Sequence, residues 1–157
     1  MAEVQDVVVV GGGPVGVTAL ALLGRAGLRA VGVEREPTAW PAPRAVHFDG
    51  ETMRLLQYIG VADEVVDRCR PMVDVRMENE EGEILSSTVA GQMGPQAWHD
   101  DVMFHQPEIE AALRAAVDRL PGVSLRSGVT LTDLEQDAEG VRVTVETPSG
   151  TEEIRAG

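Results

Sequence analysis

The stretch GGGPVG, Gly11 to Gly16, sits between the apolar run Val7–Val10 and the sequence VTALALLGRAG. Glycines and a proline at this density stop both regular structures, so the flanks must be separate elements joined by a tight turn. The run VVVV is short, β-branched and bounded by glycine, which predicts a fully buried strand. Residues 14–26 predict a helix that is apolar nearly all round, ending at Arg25 with Gly27 just beyond it. Residues 29–34, RAVGVE, predict a second strand. Strand, glycine turn, helix and strand form a βαβ unit whose two strands run parallel with a right-handed crossover.

A membrane or signal reading of the same stretch fails. Residues 7–24 carry no charge, close to the lower length for a span. However, Glu3 and Asp6 precede it where a signal peptide carries positive charge, and GGGP breaks any helix through its middle. The expectation is a soluble, cytoplasmic protein with no membrane partner.

The remaining alternative to a bare structural turn is a nucleotide site. Gly11-x-Gly13-x-x-Gly16 follows a strand and opens a helix, the context in which this fingerprint has meaning. The first glycine permits the turn, the second lets a diphosphate approach the backbone, and the third lets helix and strand pack closely. Pro14 and Val15 lie in the first helical turn, where unpaired N–H groups and the helix dipole favour an anion. Glu34, at the end of the second strand, can accept hydrogen bonds from a ribose diol and would repel a 2′-phosphate. The fingerprint by itself does not separate FAD from NAD.

Charge agrees with this placement. The net charge of −13 argues against nucleic acid as a partner. Residues 61–110 carry 12 Asp/Glu against three Arg, whereas residues 1–60 carry six against five. The near-neutral N-terminal third is thus the better host for an anionic ligand. Cys69 is the single cysteine, which excludes an intramolecular disulfide and a cysteine-based metal cluster. The three histidines show no metal-ligand spacing, so no metal site is expected.

Downstream, residues 35–47 contain three prolines and predict a long loop. Residues 51–59 predict a helix with Met53, Leu56 and Ile59 inward and Gly60 as its stop, followed by a short helix over 62–68. Val73, Val75 and Met77 alternate with charged residues, predicting a half-exposed strand that turns at Glu81-Gly82 and returns through Ile84 and Leu85. Residues 86–100 read as irregular and 102–105 as a short strand. Residues 107–120 predict an amphipathic helix opened by Pro107, with Ile109, Leu113, Ala116, Val117 and Leu120 on one face and a Glu110–Arg114 pair on the other. From Val123 the period becomes two, predicting a three-stranded antiparallel meander over 123–155 with one wet face. The whole divides into a βαβ unit over 5–34, a loop and helices over 35–70, a hairpin and irregular segment over 71–101, a strand and helix over 102–122, and the meander.

The pieces GGGPVG, VERE, PRAVHFDGETMRLLQYIG, FHQPEIEAALR and SGVTLTDLEQDAEGVRVTV, in this order, resemble the N-terminal part of the FAD-dependent aromatic hydroxylases. These are flavoprotein monooxygenases of the p-hydroxybenzoate hydroxylase type, and the 3-(3-hydroxyphenyl)propionate hydroxylase-like branch is the most similar. The resemblance implies an α/β fold of the Rossmann-like, glutathione-reductase type, with a parallel βαβ core and an antiparallel meander. It implies that Gly11, Gly13, Gly16 and Glu34 hold the ADP part of FAD. Arg44 matches an arginine that reaches the pyrophosphate, and Gln106 a glutamine near the ribityl or phosphate region. A surface arginine and a helix-capping glutamine are the structural alternatives at those two positions. Arg35 and Leu131 match positions near the adenine. His47 and Asp49 follow Arg44 where related enzymes place residues near flavin and substrate, and they are the weak catalytic candidates; no catalytic role is carried onto Val46.

The implied reaction is reduction of FAD by NADH or NADPH, then hydroxylation of a small phenolic substrate with O₂. Two other readings share the same features: another flavoenzyme of the epoxidase or halogenase type, and a non-catalytic nucleotide-binding module. Members of the resembled family are several times longer, and their later FAD-contacting and substrate-binding motifs have no counterpart in these 157 residues. The chain alone is therefore expected to be catalytically incompetent. Its unpaired sheet edges suit homo-oligomer formation or pairing with a complementing C-terminal portion.

Overall fold

The computed structural model describes residues 4–157. Two compact units emerge, one comprising the chain up to Pro41 together with Glu110–Gly157, the other Ala42–Ile109.

The first unit starts with β1 (Val7–Val10), α1 (Pro14–Arg25) and β2 (Ala30–Glu34). β1 and β2 are parallel, with Val7 opposite Ala30 and Val10 opposite Val33. The helix ends where expected, and Gly27 beyond it takes a positive φ of 78°. Two readings change. β1 is half-buried, because β2 and not β1 is the middle strand of its sheet. α1 buries one face, Val17, Leu20, Ala21 and Gly24, while Val15 is 85% exposed.

The third strand of that sheet corrects the expected meander. β8 (Val123–Ser127) pairs in parallel with β2, Ala30 opposite Val123 and Glu34 opposite Ser127. Alternation alone cannot tell a parallel partner from an antiparallel one, and the 123–155 segment therefore divides between two sheets. The meander itself is β9 (Thr130–Gln136), β10 (Val141–Thr147) and β11 (Gly150–Ala156), with β10 central. Val31 and Val33 from β2, Val129, Val143 and Val145, and Ile154 from β11 form one buried cluster, edged by Val8 and Leu131. Aliphatic burial between the two sheets stabilises this unit, each such side chain contributing about 1.5–3 kcal/mol.

α4 (Gln106–Asp118) starts one residue earlier than expected and buries Ile109, Leu113, Ala116 and Val117. Glu110 does not lie on a wet face: it is 4% exposed.

In the second unit, β3 (His47–Asp49) and β7 (Asp101–Met103) pair antiparallel, and β4 (Arg70–Pro71) flanks β7. The strand at His47 shortens the predicted loop. α2 (Gly50–Ile59) follows, capped by Asp49 and ended by Gly60 at φ 83°. α3 (Ala62–Val65) continues as a 3-10 turn over Val66–Arg68. Met53, Leu56, Ile59, Val61 and Val65 are buried, and Phe48 stacks on Phe104 at 4.5 Å between ring centres. Cys69 is buried too, and burial pushes its thiol pKa up, which keeps it protonated and inert.

β5 (Asp74–Glu78) and β6 (Ile84–Val89) make a hairpin exposed on both faces, not half-exposed, and β6 reaches well into the stretch read as irregular. Val75, Met77, Ile84, Leu85 and Val89 are all exposed. Among the described residues no helix is long and apolar enough to cross a membrane.

Candidate functional site

The glycine turn is built as the motif requires. Gly11 has φ +106°, a conformation that L side chains rarely adopt, and its N–H donates to the Val33 carbonyl at 2.8 Å. A Cβ on Gly16 would overlap the Gly11 carbonyl oxygen, so the first turn of α1 lies directly against the loop. Gly13 differs from both. Its φ of −76° is ordinary, and a Cβ there would meet no atom of the described residues within 4 Å. Among the described residues nothing crowds this position. Gly13 caps α1 without a side-chain hydrogen bond, Pro14 follows it, and the first turn holds no acidic residue. The amide-rich end is thus left to an anion.

Glu34 is tied into the loop. Its Oε2 accepts the Gly12 N–H at 2.6 Å and its Oε1 the Glu36 N–H at 2.8 Å. Burial pushes its carboxyl pKa up, but the Glu36 and Gly12 amides and the charges of Arg114 and Arg35 outweigh that and hold it below the ordinary carboxylate value. The group is an anion at neutral pH. Each oxygen accepts one backbone N–H and retains a lone pair for a further donor.

Beside it lies a cavity of about 310 Å³ whose lining includes Gly11, Glu34, Arg35, Thr130 and Leu131. Four residues singled out from sequence, Gly11, Glu34, Arg35 and Leu131, therefore share one concave surface within the first unit. Arg35 is exposed at its rim, with its Nε 3.5 Å from Glu36 Oε1.

Arg44, Gln106, His47 and Asp49 belong to the second unit. Gln106 is 7% exposed, and its Oε1 accepts the N–H groups of both Arg44 and Ala45 at 2.8 Å. It holds the backbone of the proline-rich loop. The Asp49 carboxylate accepts the Thr52 N–H and hydroxyl, each at 2.8 Å, and these bonds lower its pKa. It is an N-cap. His47 is exposed, with Nε2 3.5 Å from Asp101 Oδ1.

Arg114 was missing from the expected site. Its Nη2 donates to the Gly12 carbonyl at 2.6 Å. The periodicity contained a hint nearby, since at about 100° per residue Glu110 falls only about 20° from Val117 around the helix. That side of α4 is therefore the margin of the buried stripe and not the wet face.

Fold and site define a dinucleotide-binding α/β domain. A family described as "FAD binding domain" matches residues 4–157, and the chain belongs to that family. A 3-(3-hydroxy-phenyl)propionate/3-hydroxycinnamic acid hydroxylase 2 from Burkholderia vietnamiensis is 40% identical over 145 residues, 92% of this chain and 26% of the relative. A probable NADH-specific resorcinol 4-hydroxylase from Rhodococcus jostii is 34% identical over 139 residues, 88% of this chain and 26% of the relative. The crystal structure of p-nitrophenol 4-monooxygenase PnpA from Pseudomonas putida superposes with a TM-score of 0.85 at 28% identity, covering 99% of this chain and 40% of that one. The chain spans about a quarter of the length of the curated relatives it matches.

Proposed function

We propose that this chain binds the ADP part of FAD and is the cofactor-binding segment of an NAD(P)H- and O₂-dependent hydroxylase of small phenolic substrates. The observation that carries the reading is the glycine turn. Gly16 is required by the protein's own packing and Gly11 by its positive φ, whereas Gly13 has an ordinary backbone conformation and faces open space at a helix start with no side-chain cap. A diphosphate fits that arrangement: the amides of Val15 and Gly16 lie in the first helical turn, and Pro14 has no N–H to lose there. Glu34, ionised and fixed by two backbone amides, would accept the ribose hydroxyls, and Arg35 and Leu131 would bound the adenine. Arg44 and Gln106 are assigned to the flavin-side phosphate and ribityl chain on the family pattern.

When bound, FAD supplies the hydride acceptance and oxygen chemistry, and the protein supplies binding, orientation and exclusion of water. Asp49 is committed to capping α2 and His47 to the neighbourhood of Asp101, so neither is assigned a proton-transfer role. The names of the relatives point to a hydroxylated or carboxylated benzene ring as substrate. The cytoplasm, where NADH and NADPH are supplied, is the proposed compartment. Association with a second copy or with a complementing C-terminal portion is the proposed assembly.

Titration of the purified chain with FAD, followed by flavin fluorescence, tests the binding reading. Saturable binding that ADP displaces is expected; binding of neither FAD nor ADP would overturn it. Hydroxylation is assayed on the longest polypeptide that the gene encodes, as NADH oxidation stimulated by 3-(3-hydroxyphenyl)propionate or resorcinol. Stimulated oxidation without a hydroxylated product would reject the hydroxylase assignment.

A further inference from the structure

We propose that Arg114 is a positioning residue for the phosphate loop, aiming the Gly13 N–H at the cofactor by holding the Gly12 carbonyl from the opposite side. The proposal rests on the FAD reading for the ligand but on the loop geometry for the role. Two successive peptide planes of the loop are pinned. The plane between Gly11 and Gly12 is held through the Gly12 N–H, which donates to Glu34 Oε2 at 2.6 Å. The plane between Gly12 and Gly13 is held through the Gly12 carbonyl, which accepts from Arg114 Nη2 at 2.6 Å.

Among the described residues there are no cis peptide bonds. In a planar trans peptide the C=O and the next N–H point in opposite directions. Anchoring the Gly12 carbonyl on Arg114 therefore directs the Gly13 N–H away from Arg114, at the residue whose Cβ would meet nothing within 4 Å. A cationic donor on that carbonyl also polarises the peptide and strengthens the N–H at its other end.

Arg114 is placed for this role at some expense. Its Nε is buried without a hydrogen-bond partner. A buried donor left unmade is destabilising, so this side chain is not an idle surface arginine. The charged groups facing Glu34 are Arg114 from α4 and Arg35 from its own strand end; Gly12 and Glu36 face it with backbone amides. Arg114 thus completes a chain of contacts, carboxylate to amide and guanidinium to carbonyl, that shapes the loop before any ligand arrives.

NMR of the ligand-free chain, paired with FAD titration, tests this in the wild type, Arg114→Met and Arg114→Lys. Arg114→Met is expected to move the Gly12 and Gly13 amide resonances while leaving those of the meander in place. It should also raise the midpoint of the Glu34 carboxyl titration and weaken FAD binding about tenfold or more. Arg114→Lys, which keeps the charge with a single point donor, should restore the Glu34 midpoint and part of the affinity. A folded Arg114→Met with unchanged Gly13 resonance and unchanged Glu34 midpoint would overturn the proposal. If Arg114→Met does not fold, the wild-type Arg114 Nη protons decide. Slow exchange supports the bond to Gly12, and fast, averaged exchange rejects it. Failure of the wild type to bind FAD would remove the cofactor reading, while the resonance and titration arms would still decide the role of Arg114.

Discussion

Gly13 and Gly16 share one motif but are glycine for different reasons, and alanine at each should fail in a different assay. At Gly16 the new methyl would overlap the Gly11 carbonyl oxygen. A carbon–oxygen contact relaxes only near about 3.3 Å, so the loop would have to move by on the order of 1 Å. Overpacking of this kind costs about 1–3 kcal/mol. Gly11 is also anchored through its N–H to the Val33 carbonyl at 2.8 Å, and displacing it would weaken that bond as well. Losing the bond adds about 1 kcal/mol, for a total of about 2–4 kcal/mol. With a urea slope near 2 kcal/mol per molar, the unfolding midpoint should fall by about 1–2 M.

At Gly13 the backbone is ordinary, with φ −76° and ψ −176°, and the methyl would meet nothing within 4 Å. Losing glycine as the N-cap costs some tenths of a kcal/mol, and a stiffer unfolded chain returns about as much. The midpoint should therefore stay within about 0.5 kcal/mol of wild type, yet FAD affinity should drop at least about tenfold because the methyl occupies the diphosphate's path. Urea denaturation and flavin fluorescence on both variants give the comparison. Gly16→Ala with a wild-type midpoint, or Gly13→Ala with wild-type FAD affinity, would refute the division of roles.

Further outcomes follow from other contacts. The folded-state pKa of Glu34 is depressed, so its contribution to stability is present at neutral pH and is lost as pH falls below the ordinary glutamate value of 4.5. The midpoint difference between wild type and Glu34→Gln should therefore shrink between about pH 7 and pH 3, and a pH-independent difference would contradict the assignment. Asp49→Ala removes the α2 cap and should cost about 1 kcal/mol, a fall in Tm of about 2–4 °C. An unchanged Tm would mean that the cap contributes nothing. Gln106→Leu strips two loop amides of their acceptor, and about 1–3 kcal/mol of loop order goes with them. Trypsin should then cut after Arg44 faster than in wild type, and an equal rate would count against the tether.

The βαβ unit was legible because each part carries its own local signal: β-branched run, glycine turn, apolar helix, glycine stop. Glu34 was legible for the same reason, standing at a strand end at a readable spacing from the loop. What failed was pairing and burial, which depend on neighbours distant in sequence. Val123–Ser127 alternates like a meander strand but joins β2 in parallel. Ser86, Ser87 and Thr88 carry no apolar period, so only the ladder with β5 defines the extent of β6. At the site, the sequence marks residues whose type is unusual for their position. It does not mark Arg114, an arginine on a helix, whose importance comes entirely from the carbonyl it reaches.

The tether made by Gln106 has a consequence for divergence. Because it grips the N–H groups of residues 44 and 45, and not their side chains, any non-proline residue can occupy either position without altering the grip. The course of the loop is thereby insulated from its chemistry. The backbone path at these residues is thus set by Gln106, and a change of side chain at residue 45 leaves that path in place.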